Sequence, residues 1–144
     1  PLDYFFTVDE QRSVLESIEL AERCTSGEIR VHIEPKCARN PMLRAMKVFG
    51  LLGMENTAER NGVLIYVAFE SRKFAIIGDK GINERVGVGF WEDAKARILR
   101  AFSESRFGEG LCSAIELIGR SLGEFFPHKT DDKNELSDEI SYSE

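Results

Sequence analysis

Side chains with carboxylate or amide oxygens recur at four places in the chain, in or beside glycine-containing loops or at a predicted helix start. Six of them are candidate ligands for a hard cation: Glu28, Asn61, Asp79, Glu84, Glu92 and Asp93. Carboxylate and amide oxygens are the ligands that Ca²⁺ prefers, and this ion takes about 6–8 of them in a flexible arrangement. These residue types therefore predict a calcium site if the fold brings them to one cleft.

Each of these residues also has an ordinary role that needs no ligand. Acids in the first turn of a helix, as expected for Glu92 and Asp93, complement the helix dipole. An aspartate beside a glycine, such as Asp79, is common in turns. Glu28 and Glu84 can be solvated charges. The sequence leaves both interpretations open.

Three apolar segments predict the strands that would position these side chains. Residues 63–69 are apolar throughout, as expected for a strand covered on both faces. Residues 74–77 follow a polar connection of hairpin length and predict the returning strand. Residues 28–34 alternate apolar and polar side chains, which predicts a strand with one exposed face. His32 lies on that polar face and is expected to be exposed.

Four helices are predicted by apolar residues at helical spacing. The first follows a capping box that starts at Thr7 and is expected to end near Cys24. The second begins after Asn40, a capping residue that precedes proline. Met42 and Met46 are expected in its buried stripe. Two further helices fill the region between the glycine-rich loop and residue 127.

This order predicts a sheet with helices on both faces, because each apolar helix stripe must be covered. If the second helix is a right-handed crossover, the strands at 28–34 and 63–69 run parallel. The hairpin then makes the third strand antiparallel. Glu28, Asn61 and Asp79 would meet at one edge of the sheet, near the helix that carries the paired acids.

Composition narrows the class of protein and its partners. The 144 residues, 42% of them hydrophobic, suit one domain at residues 1–127 followed by an acidic, mobile tail at residues 128–144. The net charge is −6, and the tail holds six acids against two lysines. Binding of nucleic acid is disfavoured, whereas a metal cation or a basic partner would fit. Because no apolar run reaches about 18 residues, direct insertion into a membrane is not expected.

The cysteines and the first residues bear on location. Cys24, Cys37 and Cys112 are widely spaced and fit neither a disulfide framework nor a zinc ribbon. The first residues lack the basic flank and apolar stretch of a secretory signal. A cytoplasmic location is expected for the chain as given, and an extracytoplasmic one if a leader has been removed. The chain is expected to be a monomer.

Two catalytic or nucleotide-binding patterns are present only in part. Cys24 and Arg30 have the C-x5-R spacing of cysteine phosphatases, but the segment runs from a predicted helix into a strand. That loop needs the opposite order, because a helix N-terminus helps to bind the anion. Gly87 and Gly89 begin a dinucleotide fingerprint, but Glu92 stands where the third small residue belongs.

Several short motifs, in this order and spacing, resemble the TPM domain, a family named after thylakoid-lumen, photosystem-repair and nematode receptor-modulating members. They are Gly27-Glu-Ile-Arg-Val31, Asn61-Gly-Val-Leu-Ile65, Phe74-Ala-Ile-Ile-Gly78 with Gly81, and Glu92/Asp93 before Ala94. The resemblance covers residues 5–127 and is greatest to a small bacterial branch. It implies an α/β fold, a three-layer α/β/α sandwich of Rossmann-like appearance with a mixed central sheet flanked by helices.

The resemblance also implies a calcium-binding or acidic-phosphatase activity, with the acidic cleft at Asp79 and at Glu92 or Asp93. The glycine pair after the third strand is one residue further apart than the usual Gly-x-Gly of the family, since it reads Gly78-Asp-Lys-Gly81.

Three functions follow from these observations. The first is a calcium-binding TPM-like module that acts through an unknown protein partner, in a system associated with a membrane. The second is a metal-assisted phosphatase, in which the ion polarises a phosphoryl oxygen and a carboxylate or activated water attacks. Only Lys80 and Arg85 are placed to bind phosphate there. The third is an adaptor domain without a metal.

Overall fold

The computed structural model describes residues 6–129 and 140–143 of the chain. The elements are α1 (Val8–Glu22), β1 (Glu28–Glu34), α2 (Pro41–Leu51), β2 (Gly62–Ala68), β3 (Lys73–Gly78), α3 (Lys80–Asn83), α4 (Glu92–Ser103), α5 (Phe107–Gly123) and β4 (Ser141–Tyr142). The predicted order of helices and strands is confirmed, with the short α3 and β4 in addition.

The four strands form one mixed sheet in the order β3-β2-β1-β4. β1 and β2 are parallel, with Glu28 opposite Gly62 and Glu34 opposite Ala68. β2 and β3 are antiparallel. α2 lies in the chain between the two parallel strands, as the crossover prediction required.

Helices cover both faces of the sheet and make a three-layer sandwich. Val63, Ile65 and Val67 of β2 belong to the apolar cluster that α1, α4 and α5 complete. Leu64 and Tyr66 point to the other face, where α2 and the loop after it close a smaller cluster. Every residue of β2 is therefore buried, which matches its continuous apolar sequence.

The polar face of β1 is buried, so the prediction of a half-exposed strand was wrong. His32 is 4% exposed and Glu34 is 5% exposed. α2 shares the sheet face of Tyr66, and β4 pairs with β1 along its outer edge. Alternation reports which residues are polar, but it does not report whether another layer covers them. Here the polar side chains are buried because they bond to one another.

The helix starts follow the predicted local rules. Thr7 Oγ1 accepts from the Glu10 amide at 3.1 Å, and Glu10 Oε1 accepts from the Thr7 amide at 3.0 Å. This capping box begins α1, which ends at Glu22, two residues before the predicted end. Asn40 Oδ1 accepts from the Met42 amide at 2.8 Å and caps α2.

The face that α2 buries differs from the predicted one. Met46 is 58% exposed and Met42 is also exposed, whereas Ala45 and Val48 are buried. α2 carries apolar residues on all sides, so more than one stripe at helical spacing can be drawn on it. The face against the sheet is the one with the smaller side chains, because the helix axis then approaches the strands closely.

Part of the predicted tail pairs with the sheet. Ser141 lies opposite His32, Tyr142 lies opposite Ile33, and the Ser143 amide donates to Ile33 O at 3.0 Å. Of the rest of the predicted tail, residues 128–129 are described, and Lys129 Nζ lies 3.9 Å from Glu59 Oε2. The prediction of a mobile tail otherwise falls on residues 130–139 and 144, which lie outside the described residues.

Candidate functional site

Three of the six predicted ligands meet where β1 and β2 begin and β3 ends, which we call the amino edge. The Asp79 amide donates to Gly62 O at 2.9 Å, and the Glu28 amide donates to Asn61 O at 3.3 Å. Glu28, Asn61 and Asp79 therefore occupy neighbouring strand ends, and each is less than a tenth exposed. The predicted juxtaposition of these three residues follows from the parallel pairing.

The other three predicted ligands lie on the surface. Glu84 ends α3, while Glu92 and Asp93 stand in the first turn of α4. Glu92 pairs with Lys95 at 3.6 Å. Among residues 6–129 and 140–143, no three His, Cys, Asp or Glu side chains are grouped to hold a metal ion. The six residues do not form a ready-made set of ligands, and cation binding stays a prediction.

Asp79 is held by a cation that belongs to the chain itself. Arg60 Nε donates to Asp79 Oδ2 at 2.8 Å, and Arg60 Nη2 donates to Asp79 Oδ1 at 3.0 Å. Asp79 Oδ1 also accepts from the Lys80 amide at 2.8 Å and so caps α3. Arg60 has a left-handed backbone with φ of +51°, and its side chain is 38% exposed. The Arg60–Asp79 pair thus joins a buried carboxylate to a half-exposed guanidinium.

Asn61 carries a buried oxygen without a partner. Its Nδ2 donates to Ser26 Oγ at 3.3 Å and to Glu59 Oε2 at 3.4 Å. Its Oδ1 is buried and accepts no hydrogen bond within the described parts of the chain. Leaving such an atom unsatisfied costs about 1–3 kcal/mol, so an explanation is required. A ligand that supplies positive charge at the amino edge would remove this cost.

Sequence reasoning missed Arg60 and Glu59 at this edge. Both lie in the loop before β2, directly before Asn61, which is one of the six predicted ligands. The antiparallel pairing of β2 with β3 could have indicated Arg60, because it places the residues before β2 beside those after β3. The Gly81 amide donates to Arg60 O at 2.9 Å as part of this continuation.

One of the two predicted phosphate-binding side chains is engaged elsewhere. Arg85 Nη1 donates to Phe125 O at 3.2 Å, and its guanidinium lies 4.5 Å from the centroid of the Phe126 ring. These contacts hold the segment after α5. Lys80 remains exposed at the start of α3. Both side chains are exposed, and within the described residues Lys80 is the one whose side chain is not engaged in such contacts.

A second polar cluster lies at the opposite, carboxyl edge of the parallel strands. Glu34 Oε2 accepts from Arg44 Nε at 2.9 Å and from the Tyr66 hydroxyl, and Glu34 Oε1 accepts from Arg44 Nη2 at 2.8 Å. His32 Nε2 lies 3.3 Å from Glu34 Oε1, and His32 Nδ1 lies 2.8 Å from Ser141 Oγ. We call His32, Glu34, Arg44 and Tyr66 the Glu34 network.

The pKa values in the Glu34 network follow from burial and pairing. Burial raises the pKa of Glu34, but the hydrogen bonds from Arg44 and Tyr66 outweigh it and lower the net pKa. Burial, together with the nearby Arg44 and Arg30, lowers the pKa of His32 although Glu34 acts to raise it. Burial, together with the bond to Glu34, raises the pKa of Tyr66. At neutral pH the network therefore holds a carboxylate, a guanidinium and a neutral imidazole.

The His32 pKa predicts how stability depends on pH. A histidine whose pKa is lower in the folded state than the usual 6.5 binds more protons when unfolded. We therefore expect the free energy of unfolding to fall as pH is lowered from 7.5 to 5. Glu34 adds to this slope only below its unfolded pKa of 4.5, because its pKa in the folded state is lower still. Urea unfolding at several pH values measures this slope.

His32→Gln provides the comparison, because glutamine keeps polar atoms near Glu34 and Ser141 but does not titrate. We expect a smaller slope between pH 7.5 and 5 in this variant. Glu34, Arg44 and Arg30 are the charged groups that face His32; the pKa of Glu34 is lowered and that of Arg44 is raised, so both move away from this pH range. An unchanged slope would assign the pH dependence to other residues.

The fold and its two polar edges define the class of this protein: an α/β domain with an open mixed sheet between helices. The TPM domain family model matches residues 3–121, so the chain belongs to the TPM domain family. The chain is similar to the NMR structure of the BA42 protein from the psychrophilic bacterium Bizionia argentinensis. The two are 43% identical over 99% of each chain, with a TM-score of 0.92. The predicted resemblance and fold are confirmed.

The search of curated proteins found no match to this chain. Among the described helices, none is both long enough and apolar enough to cross a membrane.

Proposed function

We propose that this TPM domain is a binding module that takes up a divalent cation, calcium in the first place, at the amino edge. In the bound form the ion replaces the Arg60 guanidinium beside Asp79, and Asn61 Oδ1 becomes a ligand. The observation that carries the proposal is the buried Asn61 oxygen without a partner, one strand end away from the buried Asp79 carboxylate. These are hard oxygen donors of the kind that calcium prefers.

Displacement of Arg60 is physically reasonable at this position. The Arg60 side chain already reaches solvent, and a left-handed backbone at a residue other than glycine costs about 1 kcal/mol or more. A dication also interacts with a carboxylate more strongly than a guanidinium does. Because the ion must compete with Arg60, the apparent affinity is reduced, and we expect a dissociation constant of about 10⁻⁴–10⁻³ M.

A calcium titration followed by backbone amide NMR shifts tests the proposal, with magnesium as the comparison ion. We expect saturable shifts at residues 59–62 and 78–81. Arg60→Gln removes the competing cation and is expected to tighten calcium binding about tenfold, because Asp79 no longer has to be released from a guanidinium. Asp79→Asn is expected to abolish the saturable shifts.

Arg72→Gln is the matched control for Arg60→Gln. Arg72 also has a left-handed backbone, with φ of +53°, and it lies in the hairpin between β2 and β3, at the other end of these strands. Both variants remove one positive charge, so a difference in their calcium affinities must come from the position of Arg60 at the amino edge. Equal calcium affinities in the two variants, or binding that survives Asp79→Asn, would contradict the proposal.

The phosphatase hypothesis predicts a different result. A catalytic site would hydrolyse a simple aryl phosphate in the presence of calcium or magnesium, and the rate would depend on Asp79. We infer a binding module instead, because Arg85 is engaged with the segment after α5, which leaves Lys80 from the predicted pair to bind a phosphate. If the titration shows no saturable shift, the adaptor without a metal becomes the better hypothesis.

A further inference from the structure

The outer face of α2 is apolar and has no cover in the described parts of the chain. Its exposed large side chains are Met42, Leu43, Met46 and Leu51, of which Leu51 is 71% exposed and Leu43 is 64% exposed. Met42 and Met46 are four residues apart, Leu43 and Met46 are three apart, and Leu51 follows Leu43 by eight, so together they occupy the half of α2 that faces away from Ala45 and Val48. A Cβ at Gly50, in the same half, would meet no atom within 4 Å. We call these four side chains the α2 outer face.

A basic pocket opens at the start of this face. Its volume is about 580 Å³, which lies within the usual range for ligand pockets. Lys36, Arg39, Arg44 and Lys47 line it together with one carboxylate, that of Glu34. Arg44 neutralises Glu34 through two hydrogen bonds. Positive charge therefore remains in the pocket.

The remaining cations have no acidic partner in the described parts of the chain. Within residues 6–129 and 140–143, no carboxylate pairs with Lys36, Arg39 or Lys47. The pocket also lies at the carboxyl edge of the parallel strands, where open α/β sheets commonly bind ligands. The N-terminal end of α2 adds the positive end of its dipole. An anionic group is the expected occupant.

Charge argues against a second copy of this chain as the occupant. α2 contains no acidic residue, so two α2 outer faces would bring Lys47 and Arg44 of one copy close to the same residues of the other. Like charges placed together across an interface cost free energy. An anionic membrane is less well matched, because the four basic side chains line a pocket that a side chain can enter.

We propose that the α2 outer face and the basic pocket bind an acidic amphipathic helix of a partner protein. Its apolar side chains would cover Leu43, Met46 and Leu51, as in other helix-in-groove complexes. Its acidic side chains would pair with Lys36, Arg39 and Lys47. The apolar contacts supply most of the affinity, and the ion pairs determine the orientation and the preference for an acidic partner.

The test uses a synthetic amphipathic peptide with a leucine face and a glutamate face, titrated into the isotope-labelled full chain. A peptide with lysine in place of glutamate is the comparison. EDTA is present throughout, so the result does not depend on the cation site. We expect the acidic peptide to shift the amides of residues 36–51 and to bind at least tenfold more tightly than the basic one.

Two exposed substitutions separate the contributions of charge and apolar area. Lys47→Glu is expected to weaken the acidic peptide about tenfold and to strengthen the basic one. Leu43→Gln is expected to weaken both. Lys80→Glu and Leu99→Gln are the matched controls, because these residues are equally exposed but lie on α3 and α4. Neither control should change the affinity.

Several results would overturn the proposal. One is the absence of shifts at residues 36–51 up to the solubility limit of the acidic peptide. Others are equal binding of the two peptides, or binding that Lys47→Glu does not change. Binding to vesicles of phosphatidylcholine and phosphatidylglycerol through this face would assign it to membranes. A dimer that Leu43→Gln dissociates would assign it to a second copy.

Discussion

Replacing Arg44 with methionine is expected to lower the free energy of unfolding by about 3 kcal/mol at pH 7. Glu34 is 5% exposed, and Arg44 supplies two of the hydrogen bonds to its carboxylate. The variant keeps most of the volume of the side chain but leaves a buried negative charge without its cation. Breaking a buried ion pair costs about 3–5 kcal/mol, and we expect the low end because the Arg44 side chain is about one third exposed. Urea unfolding of both proteins measures the difference.

The double variant Arg44→Met with Glu34→Gln separates the loss of charge pairing from the loss of packing. Glutamine still offers an oxygen to Tyr66 and carries no charge, so most of the lost stability should return. The Arg44→Met penalty should also shrink as pH falls, because protonation of Glu34 removes the buried charge. If the double variant is no more stable than Arg44→Met, packing by Arg44 explains the effect.

The amino edge shows what can be predicted from local sequence and chain topology. The predicted helix between two strand-forming segments implied a right-handed crossover, which placed Glu28 and Asn61 at neighbouring strand ends, and the hairpin added Asp79. The hairpin pairing could also have placed Arg60 beside Asp79, but the ion pair between their side chains was not predictable. It depends on a left-handed residue in the loop before β2, and no residue type specifies that conformation there.

The Glu34 network shows where pattern reasoning fails. Alternation in β1 correctly assigned Glu34 and His32 to one face of the strand. Whether that face is exposed to solvent depends on α2, which contributes Arg44, and on β4, which contributes Ser141. Both partners are distant in sequence or belong to another element. A buried charge can be inferred only after its counter-charge has been placed.

α2 illustrates a related ambiguity. A helix with apolar residues on every side can bury any of its faces, so spacing alone did not exclude Met42 and Met46 from the core. The structure buries Ala45 and Val48 instead. The larger side chains left outside are the ones that form the proposed docking face. Because α2 has more apolar side chains than one face can bury, its buried face is hard to predict and an apolar face remains exposed.

Replacing Gly81 with alanine is expected to destabilise the domain by about 1–3 kcal/mol and to disturb the Arg60–Asp79 pair. A Cβ at Gly81 would lie 2.1 Å from Glu59 O and 2.6 Å from Arg60 O. Both are backbone atoms, so a side-chain rotation cannot relieve the clash. The loop before β2 has to move away from α3, and the hydrogen bond from the Gly81 amide to Arg60 O weakens with it.

Gly87→Ala is the matched control for Gly81→Ala. A Cβ at Gly87 meets nothing within 4 Å, and its backbone is not left-handed, so stability should change by less than about 0.5 kcal/mol. Gly81→Ala should in addition shift the amides of residues 59–62 and 79–80, and Gly87→Ala should not. If the amide chemical shifts of residues 59–62 and 79–80 are unchanged in a stable Gly81→Ala protein, the loop tolerates displacement without loss of the Arg60–Asp79 pair.

The two amino-edge variants also have different consequences for calcium. Arg60→Gln removes the competing cation but keeps the loop path, whereas Gly81→Ala moves the loop that carries Arg60 and Asn61 together. If the proposed ligands must be held in place by this loop, Gly81→Ala weakens calcium binding although the Arg60–Asp79 pair is loosened. If release of Asp79 from Arg60 is sufficient, Gly81→Ala tightens binding as Arg60→Gln does. We expect the weaker binding, because a Cβ at Gly81 would displace the carbonyls of Glu59 and Arg60, and Asn61 follows them directly in the chain.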